Sequence, residues 1–345
     1  MTLAVRTPNW IGDCVMARPA LRLLESHYPA GDLILVTRPY LAELFTPPLV
    51  SPDLCHPVIA LPVSKGWREV AIGSQRVKDS GAGRGLLFTN SIGSALMFHL
   101  AGIRHVTGYS RDGRNFLLSN KLEWPQEPGR QVDAYIDLAA AELGRPGDYE
   151  VDPDWPIPES FKDQVRCRLV SLGAREDAPW IGISPYTAYG SAKEWPHTRF
   201  QQLIQTLAAE YPRLSILLFG SPADQDRLEA LAATAPECTV NLSRSLSLAE
   251  SVSAISLCRV FVSNDSGMMH VANAVHTPLV ALFGPTDPQR VASYSRSMRV
   301  IHHHADCAPC KRRHCKDHRC MRSISVQEVG AAVETLMRKK QTEER

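Results

Sequence analysis

The chain lacks an apolar run of about 18 residues, the length that a membrane-spanning helix requires. It also lacks a strong charge of either sign, because 38 Lys and Arg stand against 36 Asp and Glu, for a formal net charge of +2. The Gly-x-Gly-x-x-Gly fingerprint of dinucleotide-binding enzymes is missing after the first apolar segment, where Asn9–Asp13 stands instead. These absences disfavour a membrane-spanning protein, a protein that binds nucleic acid through bulk charge, and a nicotinamide-dependent oxidoreductase.

The remaining composition is typical of a soluble globular protein. Hydrophobic residues make up 44% and charged residues 21%, and 345 residues suffice for two domains of ordinary size. The first residues, Met1–Pro8, lack the basic and apolar regions of a signal peptide and are typical of a first strand. We therefore expect a cytoplasmic protein whose nine cysteines are mostly reduced thiols.

Strand and helix signals alternate along the chain, which predicts parallel sheets with helices on their faces. In the N-terminal half the predicted strands are Leu3–Arg6, Leu33–Thr37, Val58–Leu61 and Gly85–Phe88, and the predicted helices are Val15–His27, Trp67–Lys78 and Ser94–Leu100. In the C-terminal half the predicted strands are Trp180–Ser184, Leu214–Phe219 and Thr239–Leu242, and the predicted helices are Thr198–Glu210, Asp224–Ala233 and Leu248–Leu257. A further strand–helix–strand unit is predicted over Arg259–Thr286.

A proline-rich stretch predicts the connection between two domains. Six prolines lie between Glu123 and Pro158, around a short predicted helix at Asp133–Glu142. The fold class is therefore α/β, with two Rossmann-like, doubly wound domains over residues 1–155 and 156–345. Ligands of such sheets collect at the carboxyl ends of the strands, so we expect a ligand cleft between the domains.

The segment Asn264–His270 joins an apolar strand pattern to an apolar helix pattern. Ser and Asp are favoured at helix N-caps, and Gly267 lets a ligand approach the backbone closely. The amides around Ser266, Gly267 and Met268 are therefore predicted phosphate donors. His270 lies one turn into the helix, where it adds a hydrogen bond or a positive charge, or is simply a buried, satisfied histidine.

Asp265 carries a charge that phosphates would repel. It is therefore expected to face sugar hydroxyls or to cap the helix. Lys193, on a polar strand-to-helix loop, is expected to neutralise a phosphate as a point charge, with an ordinary solvated lysine as the alternative. Gly220 and Ser221 follow another strand and either pack against a nucleoside or form a routine turn and N-cap.

Asp13 stands between the first strand and the first helix. One interpretation is a helix cap. The other is a general base that projects into the cleft, with Gly12 allowing close approach and Trp10 raising the pKa of the aspartate by lowering the local dielectric. The sequence leaves both open.

A basic, cysteine-rich loop covers residues 305–322. Cys307, Cys310, Cys315 and Cys320 lie within fourteen residues, but their spacing matches no standard structural zinc pattern. A zinc ion or cluster is therefore one interpretation, and a reduced or redox-labile loop is the favoured one. The local excess of Lys and Arg suits an acidic partner, whether a phosphorylated lipid, a nucleotide or a nucleic acid.

The ordered set of motifs resembles the bacterial ADP-heptose:lipopolysaccharide heptosyltransferases, most closely the branch that adds the second heptose. The matching segments are Trp10–Asp13, Asn90–Leu96, Ala101–Tyr109, Lys193–Pro196, Phe219–Ser221, Asn264–Ala272 and Phe283–Thr286. The spacing from Cys307 to Cys315 also recurs in that branch. The resemblance covers almost the whole chain.

This resemblance implies a GT-B fold, with the acceptor on the first domain and the sugar nucleotide mainly on the second. It implies an inverting transfer of L-glycero-D-manno-heptose from ADP-heptose to the first heptose of the lipopolysaccharide inner core, without a metal or other cofactor. Asp13 would deprotonate the acceptor hydroxyl, while Lys193 and the helix start at Ser266–Met268 would stabilise the departing ADP. Asp265 and His270 would position the donor. The phosphate loop would be lined by Thr187 and Gly190.

The same resemblance implies a heptosyl-Kdo2-lipid A type of acceptor. Arg104, Arg111 and Arg114 are expected to meet its acidic groups, and nucleic acid is not expected as a partner. The protein would then be peripheral to the cytoplasmic face of the inner membrane, held by charge. Heptosyltransferases with other core acceptors remain an alternative, as does a nucleotide- or nucleic-acid-binding protein without transferase activity. Related enzymes carry an acidic residue for the ribose where this chain has Pro222, so the ribose contact stays unassigned.

Overall fold

The structure is a computed structural model. It describes residues 2–343 except 30, 51–54, 65, 126–128, 146, 148, 150–153, 292–296 and 311. The chain divides into two compact units, Met1–Pro153 and Asp154–Arg345. Within the described residues, no helix is both long and apolar enough to span a membrane.

The first unit contains a six-stranded parallel sheet in the order β3-β2-β1-β4-β5-β6. Its strands are β1 (Leu3–Arg6), β2 (Leu33–Thr37), β3 (Val58–Ala60), β4 (Arg84–Leu87), β5 (His105–Tyr109) and β6 (Asn120–Leu122). Its helices are α1 (Ile11–Met16), α2 (Arg18–Glu25), α3 (Trp67–Asp79), α4 (Ile92–Leu100) and α5 (Gln131–Leu143). The central strands are apolar and fully buried, as expected of a parallel sheet covered on both faces.

The second unit contains another six-stranded parallel sheet, in the order β12-β11-β10-β7-β8-β9. Its strands are β7 (Trp180–Ser184), β8 (Ser215–Leu218), β9 (Thr239–Asn241), β10 (Val260–Asn264), β11 (Leu279–Phe283) and β12 (Met298–His302). Its helices are α6 (Glu159–Ser171), α7 (His197–Glu210), α8 (Gln225–Ala232), α9 (Leu248–Ser256), α10 (Gly267–Ala274), α11 (Pro288–Val291), α12 (Arg319–Arg322) and α13 (Val326–Glu343).

Both sheets are doubly wound, so each has a position where the strand order reverses. This position lies between β1 and β4 in the first unit and between β7 and β10 in the second. The loops that leave these strands diverge there and leave a crevice in which ligands of open α/β sheets bind. The two Rossmann-like units confirm the α/β fold class predicted from the sequence.

The predicted helix Val15–His27 is wrong in one respect, because the structure has two helices there. α1 ends at Met16, Ala17 follows, and α2 begins at Arg18 with Pro19 in its first turn. Proline has no N–H to donate to a preceding turn but is well tolerated at the start of a helix. The apolar spacing continues across this break, so it does not reveal the start of α2.

Candidate active site

An ion pair lies at the strand-order reversal of the second unit. Lys193 ends a short 3₁₀ helix in the loop after β7, and Asp265 directly follows β10. The Lys193 Nζ lies 2.5 Å from Asp265 Oδ2, and Thr286 Oγ1 donates to the same oxygen at 2.6 Å. Three loops that leave neighbouring strands are therefore joined through one nearly buried carboxylate.

Asp265 does not cap α10, so that alternative is wrong. The N-cap is Ser266, whose side chain makes no capping hydrogen bond and instead meets Ser263 Oγ at 3.0 Å. The Asp265 carboxylate is held by Lys193 and Thr286 instead. Helix α10 therefore begins at Gly267 without a side-chain cap, and amide groups at such a helix start can bind an anion.

His270 is buried on α10, and this burial determines its charge. Burial is the main cause that lowers the pKa of His270 to about 4, with Lys193 lowering it further and Asp265 opposing the change. The imidazole is therefore neutral near pH 7. Of the alternatives predicted for this residue, a positive charge disagrees with the structure, the burial of the histidine is observed, and the hydrogen bond to a donor stays a prediction.

The loop that carries Lys193 is folded on itself by its own polar groups. Thr187 Oγ1 donates to the carbonyl oxygen of Gly190 at 3.0 Å, and the Thr187 amide donates to Glu194 Oε1 at 3.1 Å. Arg227 Nη2 lies 2.6 Å from Glu194 Oε2 and holds that carboxylate from α8. Sequence reasoning assigned no role to Glu194, because a single acidic residue beside a lysine gives no distinctive pattern.

Asn264 ties the loops after β7 and β10 together. Its side chain is completely buried; Oδ1 accepts from the Trp195 amide at 3.0 Å, and Nδ2 donates to the Pro185 carbonyl at 2.7 Å. One side chain thereby satisfies two buried backbone groups of the neighbouring loop. The predicted donor residues Thr187, Gly190, Lys193 and Asp265 lie on these two tied loops.

Gly220 and Ser221 follow β8 at the same edge of the sheet. A side chain at Gly220 would place its Cβ 2.6 Å from Leu228, so the glycine allows close packing against α8. The Ser221 amide and hydroxyl both donate to Asp224 Oδ2, at 3.0 and 2.6 Å. Ser221 therefore forms a turn and an N-cap, which is one of the two predictions made for it. Asp224 is its partner in this turn.

The cysteine-rich loop, residues 305–322, packs beneath the Lys193 loop. Cys307, Cys310, Cys315 and Cys320 are free thiols that line one small cavity of about 80 Å³. No three His, Cys, Asp or Glu side chains of the described residues are arranged to hold a metal ion, so the zinc interpretation has no ligand set. Burial raises the pKa of the Cys320 thiol.

Asp13 lies near the strand-order reversal of the first unit, in the first turn of α1. Trp10 is the N-cap and makes no side-chain capping bond, so Asp13 is not the residue that caps this helix. Tyr135 on α5 is buried, and its hydroxyl interacts with Asp13. Burial and, next, the negative charge of Asp13 raise the pKa of Tyr135 well above its usual value. Tyr135 was missed because a tyrosine inside an apolar helix is typical of a core.

The Asp13 loop is fixed by an asparagine and its neighbours. Asn9 Oδ1 accepts from Arg6 Nη2 at 2.6 Å and from Arg38 Nε at 3.2 Å, and the Asn9 carbonyl accepts from Tyr40 Oη. Arg6 is almost fully buried, and burial lowers its pKa to about 10. The segment before α1, which leads to Asp13, is therefore held by two arginines and a tyrosine through Asn9.

The three arginines predicted to meet the acceptor lie in different places. Arg111 follows β5, is exposed, and stacks on Trp124 at 4.3 Å from the ring centroid. Arg104 precedes β5, so it lies at the edge of the parallel sheet opposite to Asp13, which does not fit the prediction. Arg114 does not fit either, because it is completely buried and its guanidinium donates to Tyr109 and Thr89 carbonyls.

Comparisons with known proteins agree with this architecture. A family model described as "Glycosyltransferase family 9 (heptosyltransferase)" matches residues 73–320. The lipopolysaccharide heptosyltransferase 2 of Escherichia coli (strain K12) is 32% identical over 87% of this chain and 88% of its own. The lipopolysaccharide heptosyltransferase 1 of Pseudomonas aeruginosa (strain PAO1) is 32% identical over 91% of this chain and 86% of its own. The solved structure of Escherichia coli ADP-heptose lps heptosyltransferase II superposes with a TM-score of 0.83 and 28% identity, covering 99% of this chain and 100% of that one.

Two Rossmann-like units with polar loops at the strand-order reversals define a glycosyltransferase of the GT-B class. The chain belongs to glycosyltransferase family 9, the heptosyltransferase family.

Proposed function

We propose that this enzyme transfers L-glycero-D-manno-heptose from ADP-heptose to the first heptose of the lipopolysaccharide inner core. The observation that carries the proposal is the Lys193–Asp265 pair beside the uncapped start of α10. This pair lies where a doubly wound sheet binds a nucleotide, and the family 9 model, which matches residues 73–320, includes both residues. The second unit would accordingly hold the donor, and the first the acceptor.

The departing ADP needs stabilisation of its growing negative charge. Lys193 supplies a positive charge, and the amides from Ser266 to Met268 supply uncapped N–H groups. Thr187 and Gly190 would line the phosphates, Gly220 the nucleoside, and Asp265 with neutral His270 the sugar. These groups act on the leaving group without a metal ion.

Asp13 would act as the general base. It takes the proton of the acceptor hydroxyl while that oxygen attacks the anomeric carbon of the heptose, and the bond from this carbon to the ADP oxygen breaks with inversion. The buried Tyr135 hydroxyl donates to the Asp13 carboxylate and holds it in one orientation. Arg111 is the remaining candidate for contact with acidic groups of the acceptor.

The acceptor distinguishes this function from the alternative of a heptosyltransferase with another core acceptor. Purified enzyme should release ADP from ADP-heptose with heptosyl-Kdo2-lipid A but not with Kdo2-lipid A, measured by mass spectrometry of the product. Transfer to Kdo2-lipid A alone would contradict the proposal and would indicate an enzyme that adds the first heptose of the core. Hydrolysis without either acceptor would count against both.

A lipid-anchored acceptor also requires the enzyme to work at a membrane surface. We infer a peripheral, charge-dependent contact with the cytoplasmic face of the inner membrane, supported by exposed Arg111 and by Lys316 and Arg322 of the cysteine-rich loop. Binding to vesicles with anionic lipid should weaken as salt is raised. Binding that ignores salt would contradict the inference.

A further inference from the structure

The charges around the start of α10 balance before any ligand is present. Lys193 is paired with Asp265 at 2.5 Å, and burial keeps His270 neutral near pH 7. Together these three side chains contribute no net charge. A sugar nucleotide of the proposed kind carries a diphosphate, whose negative charge favours a site with a further cation.

Arg313 places a second cation at the ring of Tyr189, which Lys193 also approaches. Its guanidinium carbon lies 5.5 Å from the centroid of the Tyr189 ring, and Lys193 Nζ lies 4.8 Å from the same centroid. The two cations reach this ring from different segments, Lys193 from the loop after β7 and Arg313 from the cysteine-rich loop. Arg313 is exposed, so its guanidinium is accessible to a ligand.

The backbone of Arg313 is fixed against the Lys193 loop. Its carbonyl accepts from the Ala192 amide at 3.0 Å. A Cβ added at Gly190, where φ is +137°, would lie 2.4 Å from that carbonyl oxygen, so the two backbones meet without room for a side chain. Ser191 Oγ and His314 Nδ1 lie 3.2 Å apart, and His318 Nε2 lies 3.1 Å from the Ala192 carbonyl oxygen.

We propose that Arg313 binds the diphosphate of the donor as a second cation beside Lys193. The proposal rests on the proposed function, because it takes a nucleoside diphosphate as the ligand of this site. A guanidinium suits the task, since its planar donors match phosphate oxygens in pairs and it stays charged at any working pH. The cysteine-rich loop thereby becomes part of the proposed donor site.

The test compares ADP with adenosine as ligands, measured by calorimetry on the full chain. Arg313→Met removes the guanidinium but keeps the carbonyl that holds Ala192. ADP should bind this variant about tenfold to a hundredfold more weakly than the wild type, because a charge-assisted contact is lost. Adenosine, which has no phosphate, should bind both proteins equally, and Arg313→Lys should recover part of the ADP affinity.

The control is Arg312→Met, which removes the same charge from the exposed neighbour and should leave ADP affinity within about twofold of wild type. ADP affinity unchanged in Arg313→Met would overturn the proposal. Equal losses of affinity for ADP and for adenosine would overturn it too, because they would show that Arg313 supports the loop and does not bind the phosphates. A wild type that bound no ADP would remove the proposed function itself, and this inference with it.

Discussion

At the scale of single residues, burial sets the charge of His270 in the proposed donor site. Asp265 is paired with Lys193, whereas burial keeps His270 neutral near pH 7. The consequence is a site whose hydrogen-bonding groups are in place at neutral pH. Acid should disturb this arrangement through His270.

His270 should make stability depend on pH. Its folded pKa, about 4, lies below the ordinary value of 6.5, so the unfolded chain binds more protons between these values. The stabilisation is fully present above pH 6.5 and is lost as pH falls toward 4. From about pH 7.5 to about pH 5, the free energy of unfolding should fall by about 2 kcal/mol more in the wild type than in His270→Gln, measured in urea.

His99→Gln is the matched control, because His99 is exposed on α4. This variant should keep the pH dependence of the wild type. Equal slopes for His270→Gln and the wild type would show that His270 is not held neutral by burial.

At the scale of elements, the proposed donor site is built from loops that hydrogen bonds join at one edge of the sheet. Asn264 ends β10 and holds the backbone on both sides of the Lys193 loop, at Pro185 and Trp195. Lys193, Asp265 and Thr286 then join the loops after β7, β10 and β11. Loss of one of these contacts should therefore lower both the free energy of unfolding and the affinity for nucleotide.

Asn264→Ala should expose this coupling. It leaves a buried amide and a buried carbonyl without their partner, which should lower the free energy of unfolding by roughly 2 to 4 kcal/mol. The Trp195 amide should lose protection from hydrogen exchange, and ADP should bind more weakly because the Lys193 loop is freed. Asn115→Ala, at an exposed position, should change stability by less than about 0.5 kcal/mol. A protected Trp195 amide in Asn264→Ala would refute the proposed tie.

The buried central strands were the most predictable elements. Leu33–Thr37 and Trp180–Ser184 have the predicted bounds, because a short, continuous apolar run is typical of a strand that is buried on both faces. The short edge strand β6, where two of three residues are exposed, carries no apolar signal and was not predicted. The long helix α13 was also missed, although its apolar residues at Val329 and Val333 are four apart and buried.

The sequence predicts where the residues of the candidate site lie along the chain, but it does not predict which side chains they contact. Asp13, Lys193 and Asp265 follow strands, and this placement could be derived from the order of apolar segments. Their partners could not, because Tyr135 lies on a helix far along the chain and Thr286 follows another strand. The burial of Arg114 was hidden for the same reason, since the carbonyls that bind it come from β5 and the loop after β4.

At the scale of the whole molecule, the proposal divides the reaction between the two units. Donor binding depends on Lys193, Asp265 and the start of α10, all in the second unit. Deprotonation of the acceptor depends on Asp13, in the first. A variant of the base should therefore lose chemistry and keep nucleotide affinity.

The measurement that tests this division is the turnover and the ADP affinity of Asp13→Asn, side by side. Loss of the general base should lower kcat by roughly a hundredfold to ten-thousandfold, while the Kd for ADP stays within about twofold of wild type. Asp79→Asn, an exposed change on α3, serves as the control and should alter neither value. If Asp13→Asn kept most of its turnover, Asp13 would not be the base and the proposed mechanism would fail.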